Sequence, residues 1–447
     1  MHGSAYLSPI WVLPFVGLLL SIAIMPLAAP HFWEKHIGKI SVGWALAFWL
    51  PFAVIIDGPT AFSSLLHTAL LDYVPFLVLV FGLYVAAGGL MVGGELSGTP
   101  LRTTGLLAVG AFLASLVGTT GASMVLVRPL VRGLQTRKYK AHSVVFFIFL
   151  VSNIGGSLTP IGDPPLFMGF LKGVPFFWTM RLLPIMLFST AILCILHYAI
   201  DSWFWRKECA LAGGSLDMGR DRFEIKGGIN ILYLAGIVGA VIVSGLVGGE
   251  AGLTLMAPSE ASPHGLHITW TSLARDGVIL LLAWLSMKTT TKDVREANNF
   301  TWGPVKEVAT LFAGIFACLI PIILILNQGE AGSLGWLLAS VRDPSHYFWA
   351  AGALSSFLDN TPTYLLFFAV AGGDPAVLTT TGAVTLMAIS AGAVFMGANS
   401  YIGNAPNFLV RNIAEENGVK MPSFFGYMGW SVSILIPLFI LLTFVFF

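Results

Sequence analysis

Apolar runs recur along the whole chain, separated by short polar stretches, and many have the roughly 17–25 residues needed to cross a bilayer as helix. They predict spans near 7–28, 41–57, 73–94, 141–170, 176–200, 229–248, 277–287, 306–327, 381–409 and 423–446. The 277–287 run is too short to cross upright. Two further apolar stretches, near 107–130 and 347–370, carry polar residues at their centres and lie between spans. These read as re-entrant helical hairpins. The expected fold class is therefore an all-α polytopic membrane protein, with about 10–11 transmembrane helices and two hairpins. The first apolar run has neither a charged n-region nor a clear small-residue cleavage site, so it reads as a retained span.

Two spans are broken in similar ways. Sliding the chain by 241 positions lays Gly156 on Gly397, Ile161-Gly162 on Ile402-Gly403, Pro165 on Pro406 and Phe167 on Phe408. The same slide places Gly118-Thr119-Thr120 over Asp359-Asn360-Thr361. The breaking residues are Gly155, Gly156, Gly162, Pro164 and Pro165 in one span, and Gly397, Gly403 and Pro406 in the other. Helix breaks at membrane depth survive only inside protein or along a cavity. Paired breaks in two halves point to a carrier's binding site. The expected organisation is N-terminal scaffold spans over 1–72, a first repeat over 73–170, connecting and scaffold spans over 171–305, a second repeat over 306–409 and a C-terminal span over 410–447.

Charge changes the picture. The chain is 56% hydrophobic and only 10% charged, far below the roughly one quarter charged of soluble proteins. With both hairpins returning to their own side and the N-terminus outside, 19 of the 23 basic residues fall on the inner face. Only Lys172, Arg181, Arg275 and Arg342 fall outside, as the positive-inside rule requires. The loop after the first hairpin, 132–140, is strongly basic, whereas its counterpart, 371–380, holds Asp374 and no basic residue. Equivalent loops thus face opposite sides, which makes the repeat inverted. Cys194, Cys209 and Cys318 have no paired spacing and suit neither a disulfide framework nor a zinc site. His264 and His267 lack a third ligand nearby. No phosphate loop, HExxH or GxSxG occurs, which disfavours an ATP-driven pump or an intramembrane enzyme.

Intramembrane carboxylates are costly and so mark function. Asp359, at the second hairpin tip, and Asp163, in the first broken span, are the two candidates, with helix capping as the alternative role for each. Thr119, Thr120, Asn360 and Thr361 at the tips, and Ser157, Thr159, Asn399, Ser400 and Asn404 at the breaks, add oxygen ligands suited to a hard cation. A sodium ion is expected at Asp359, Asn360, Thr361 and Thr119. Half-helix N-termini there could equally hold an anionic carboxylate. Glu307 reads as a first-turn acid at the interface, and Arg128 as a residue snorkelling to the inner surface.

The run 152–165, Ser-Asn-Ile-Gly-Gly-Ser-Leu-Thr-Pro-Ile-Gly-Asp-Pro-Pro, resembles a signature of the ion transporter superfamily. That group includes citrate and dicarboxylate carriers, arsenite-efflux carriers and a class of sodium/proton antiporters. The resemblance implies a scaffold, a mobile transport unit, elevator-type alternating access and a homodimer in a bacterial-type inner membrane. Its dicarboxylate carriers bear Ser-Asn-Thr at both tips, which this chain lacks. Asp359-Asn360-Thr361-Pro362 is closer to the antiporters, and Asp163-Pro164-Pro165 closer to the citrate and arsenite branches. A carboxylate beside an anionic substrate would repel it, so sodium/proton antiport is expected, with Asp359 binding either ion in turn. A carboxylate carrier is the alternative. Sodium ions and protons, a small carboxylate under the alternative, and the lipid bilayer are the partners implied; no nucleic acid and no cofactor are expected.

Overall fold

The computed structural model describes residues 7–55, 58–93, 97–213, 224–249, 251–257 and 265–447. Arg220, Arg222 and His264 lie outside these residues. The chain is an all-α polytopic membrane protein.

The first 88 residues comprise α1 (Leu13–Ala28), α2 (Pro30–Ile55), α3 (Gly58–His67) and α4 (Val74–Gly88). A π-helical turn, Thr68–Tyr73, joins α3 to α4 into one continuous run. A short strand β1 (Met91–Gly93) follows, then α5 (Pro100–Val117) and α6 (Thr119–Gly133). The first broken span is α7 (Ala141–Leu150), a 3₁₀ segment Ile154–Leu158 and α8 (Pro164–Leu171). The connecting region holds α9 (Leu183–Ala212), β2 (Glu224–Lys226), α10 (Ile229–Val247), strands β3 (Gly252–Met256) and β4 (Leu266–Thr269), α11 (Trp270–Thr289) and α12 (Lys292–Ala297). Strands β1 and β2 pair antiparallel, as do β3 and β4. Next come α13 (Gly303–Leu326), α14 (Gly335–Ser340), α15 (Pro344–Ser355), α16 (Asn360–Val370) and α17 (Pro375–Thr379). The second broken span is α18 (Ala383–Met396), a 3₁₀ turn Gly397–Asn399 and α19 (Ala405–Glu416); α20 (Phe424–Phe446) closes the chain.

The element boundaries have local causes. Gly118 alone links α5 to α6, with φ +83°, a conformation that L side chains resist. Pro164 and Pro165 open α8, where a missing N–H costs nothing. Both broken spans lie at the centre: every residue from His142 to Leu150 of α7 is buried, as is nearly all of α18. By contrast α10 and α20 leave large apolar residues such as Leu232, Leu246 and Phe444 exposed, as lipid-facing helices do. Small residues let the central helices touch backbone to backbone. A Cβ on Gly392 would stand 2.4 Å from the Phe348 carbonyl of α15, and one on Gly155 2.4 Å from the Ala111 carbonyl of α5.

The 277–287 stretch needs correction. It belongs to α11, which has 20 residues and is about 30 Å long, enough to cross. Arg275 and Asp276 hid its N-terminal half. They are paired at 2.8 Å, with Arg275 against the Phe167 ring.

Candidate functional site

The two hairpins close onto the two breaks through matching hydrogen bonds. Thr159 Oγ1 donates to the Ser115 carbonyl at 2.5 Å and accepts from Gly162 N–H at 3.1 Å. At 241 positions further on, Ser400 Oγ donates to the Ser356 carbonyl at 2.5 Å and accepts from Gly403 N–H at 3.1 Å. Ser115 Oγ donates to the Gly155 carbonyl at 2.5 Å, and Ser356 Oγ to the Met396 carbonyl at 3.3 Å. The glycines match too. A Cβ on Gly162 would meet the Gly156 carbonyl at 2.2 Å, and one on Gly403 the Gly397 carbonyl at 2.5 Å. Each break is thus a loop strapped to the hairpin beside it by these bonds.

Asp163 lies where the halves meet. It is fully buried and stands at the N-cap position of α8, yet its side chain makes no cap bond. Instead Oδ1 accepts from Thr119 Oγ1 of the first tip at 2.9 Å, and Oδ2 from Asn360 Nδ2 of the second tip at 2.8 Å. Asn360 is held in turn by Ser355 Oγ, which donates to its Oδ1 at 2.6 Å. Both direct donors to the carboxylate are neutral. Three asparagines tie the breaks together below it. Asn153 Nδ2 donates to Asn407 Oδ1 at 2.7 Å, Asn404 Nδ2 to Asn153 Oδ1 at 3.2 Å, and Asn407 Nδ2 to the Gly397 and Ser400 carbonyls at 2.8 and 2.9 Å.

Asp359 is the residue that caps. It is the N-cap of α16 and accepts from Thr361 N–H at 3.0 Å. It also lines a cavity of about 500 Å³. One wall of this cavity is α4 and α13, with Phe76, Leu83, Tyr84 and Phe312; the other is the tips and breaks, with Thr119, Thr120, Gly162 and Asn404. Among the described residues, its ionisable lining residues other than tyrosine are Asp359 and Glu307, and no Lys, Arg or His lines it. Glu307 is the fifth residue of α13 rather than a first-turn acid, and it faces this space.

The expected sodium quartet is brought to one place but is not free. Thr119 Oγ1 and both ends of the Asn360 amide are engaged. Among the described residues, Thr361 Oγ1 and Asn399 Oδ1 are buried and find no hydrogen-bond partner, so two oxygens at the second hairpin and break are available to a cation. Ser157, Thr159 and Ser400 donate to backbone carbonyls and act as straps. Asn399 Nδ2 donates to Ser356 Oγ at 2.8 Å. Ser115, Ser356, Asn153, Ser355 and Asn407 were not among the expected residues. The 241-residue slide superposes Ser115 on Ser356 and carried the signal for that pair. The asparagines have no such equivalence, since Val394 and Leu166 stand at the matching places.

A second buried polar cluster sits between α5, α7 and α9. His142, His197 and Asp201 are close enough to share a metal ion. Arg137 donates to Asp201 at 2.7 Å and also pairs with Glu208, while Thr103 Oγ1 donates to the second Asp201 oxygen at 2.8 Å. A guanidinium already holds the place a cation would take, so this cluster is a structural joint. His267, in β4, bonds Thr254 at 2.9 Å. All three cysteines are free thiols. Arg128 is half-buried, its guanidinium returning to the Met124 carbonyl at 3.5 Å.

A family described as "Putative citrate transport" matches residues 4–447, nearly the whole chain. The chain belongs to this family. Membership agrees with the superfamily that the 152–165 run resembles, and with secondary transport across a membrane by a multi-pass protein. No curated protein matches the chain.

Proposed function

We propose that the protein is a secondary active sodium/proton antiporter in which Asp163 is the coupling carboxylate and Asp359 the cavity-facing one. The observation that carries this reading is the Asp163 bridge: a fully buried carboxylate, bonded by neutral donors from both hairpin tips, beside a cavity whose described lining residues include acids and no bases. A buried carboxylate with no fixed counter-charge is stable as the neutral acid or with a bound cation. Proton and sodium then compete for one group, and that competition couples opposing fluxes. Thr361 Oγ1 and Asn399 Oδ1 supply further oxygens for the ion. The matched straps at 241 residues, together with the opposite charge of the loops at 132–140 and 371–380, support an inverted repeat. The cavity between α4/α13 and the tips supports an elevator, with the tips and breaks moving as one unit; a homodimer is part of the proposal on the resemblance alone. The N-terminus then faces outward and the membrane is of the bacterial inner type.

A second reading is cation-coupled uptake of citrate or a similar carboxylate. The family's description favours it, and a cavity of about 500 Å³ has room for such a molecule. With no basic residue among the described lining, its charge would have to be neutralised by the coupling cation. Sodium-induced proton movement, measured beside labelled citrate uptake in the same vesicles, separates the two.

A further inference from the structure

Lys172 follows directly on α8 and reaches across to the α3–α4 run, where its Nζ donates to both Asp72 oxygens at 2.7 and 2.8 Å. Asp72 is only 6% exposed. It sits in the π-helical turn Thr68–Tyr73, and such turns inside helices recur at functional positions. The same helical run continues into α4, one wall of the cavity, whereas α8 begins at Pro164, just after Asp163, and belongs to the other wall. The ion pair therefore joins the cavity's two walls directly.

Its position along the molecule is informative. By the charge distribution Lys172 lies at the outer face. The cavity runs the other way: its lining includes Gly303 and Glu307 at the start of α13, next to Lys306, and Asn412 of α19, next to Arg411. Those basic residues belong to the inner face. The pair thus closes the outer end of the seam between the walls while the cavity extends toward the inner end.

We infer that Asp72–Lys172 is a latch that holds the inward-open conformation and breaks when the tip-and-break unit moves outward. This rests on the alternating-access reading above. A lysine side chain reaches only a few ångströms, so sliding α8 along α4 by a helical turn, about 5.4 Å, parts the charges. Both then need water or new partners, and the mostly buried Asp72 carries the larger share of that cost.

The test is a conformational one. Val80, in the cavity wall on α4, is replaced by cysteine in protein whose Cys194, Cys209 and Cys318 are serine. An impermeant maleimide is applied to right-side-out and to inside-out vesicles. Asp72→Asn and Lys172→Met should each raise the labelling rate from outside about fivefold, the scale of a partly exposed ion pair. The doubly reversed protein, Asp72→Lys with Lys172→Asp, should return toward the parent rate. Unchanged outside labelling in both single variants would overturn the latch, and so would a reversed pair that labels like the single variants. Labelling reads conformation without transport, so an absence of sodium-driven proton movement in the parent would strike the antiport reading and leave this comparison standing.

Discussion

A carboxylate sealed from water among neutral donors is stable only while a proton or a cation is with it, and Asp163 is in that position. Asp163→Asn keeps the size and both hydrogen-bonding ends but removes the exchangeable charge. Sodium-driven proton movement should vanish while the protein still folds, as size-exclusion and thermal unfolding would show. Thr119→Ala and Asn360→Ala remove one donor each, and both should raise the half-saturating sodium concentration without loss of insertion. Gly162→Ala puts a methyl 2.2 Å from the Gly156 carbonyl, so folded yield should fall sharply. At this scale the sequence was legible in content but not in role. Both carboxylates stood out as intramembrane acids. Which one caps a helix depends on what else approaches it, and a chain 197 residues away supplies the Asn360 donor. Asp359 has its own Thr361 N–H within reach and caps; Asp163, also at a helix N-cap, is claimed by the two tips.

Among elements, the breaks were the easiest to read and their strapping the hardest. Gly and Pro announce a break because they withhold side chain or N–H. The hairpin hydroxyls that bond the freed carbonyls, Ser115 on Gly155 and Ser356 on Met396, lie 40 residues away, and serine alone does not announce that use. Ser115 serves three groups: it donates to the Gly155 carbonyl, accepts from Leu158 N–H, and its own carbonyl receives Thr159. Ser115→Ala should destabilise the protein by about 1–3 kcal/mol, the cost of stranding buried backbone groups, read as a lowered unfolding temperature in detergent. Span boundaries failed where charges were paired. Arg275 and Asp276 made α11 look too short because a linear reading counts each charge in full, whereas the pair sits against Phe167 in the fold.

For the whole molecule, the fold class was legible because lipid demands continuous apolar helix wherever a function does not interrupt it. The meeting of four interruptions around Asp163 was not, because contacts between distant segments leave no local pattern. If the two halves are inverted, cysteines replacing Lys138 and Asp374 should label from opposite sides of the membrane, although their loops match in the repeat. Equal labelling from outside would contradict inversion. The most direct test of the central claim is sodium-pulse proton movement in proteoliposomes containing the wild type or folded Asp163→Asn protein, with labelled citrate uptake followed in parallel. The account predicts sodium-dependent proton efflux or influx in the wild type, opposed to the sodium gradient, and none in Asp163→Asn. Full exchange in Asp163→Asn, or a wild type that takes up citrate with sodium but moves no protons in exchange, would contradict it.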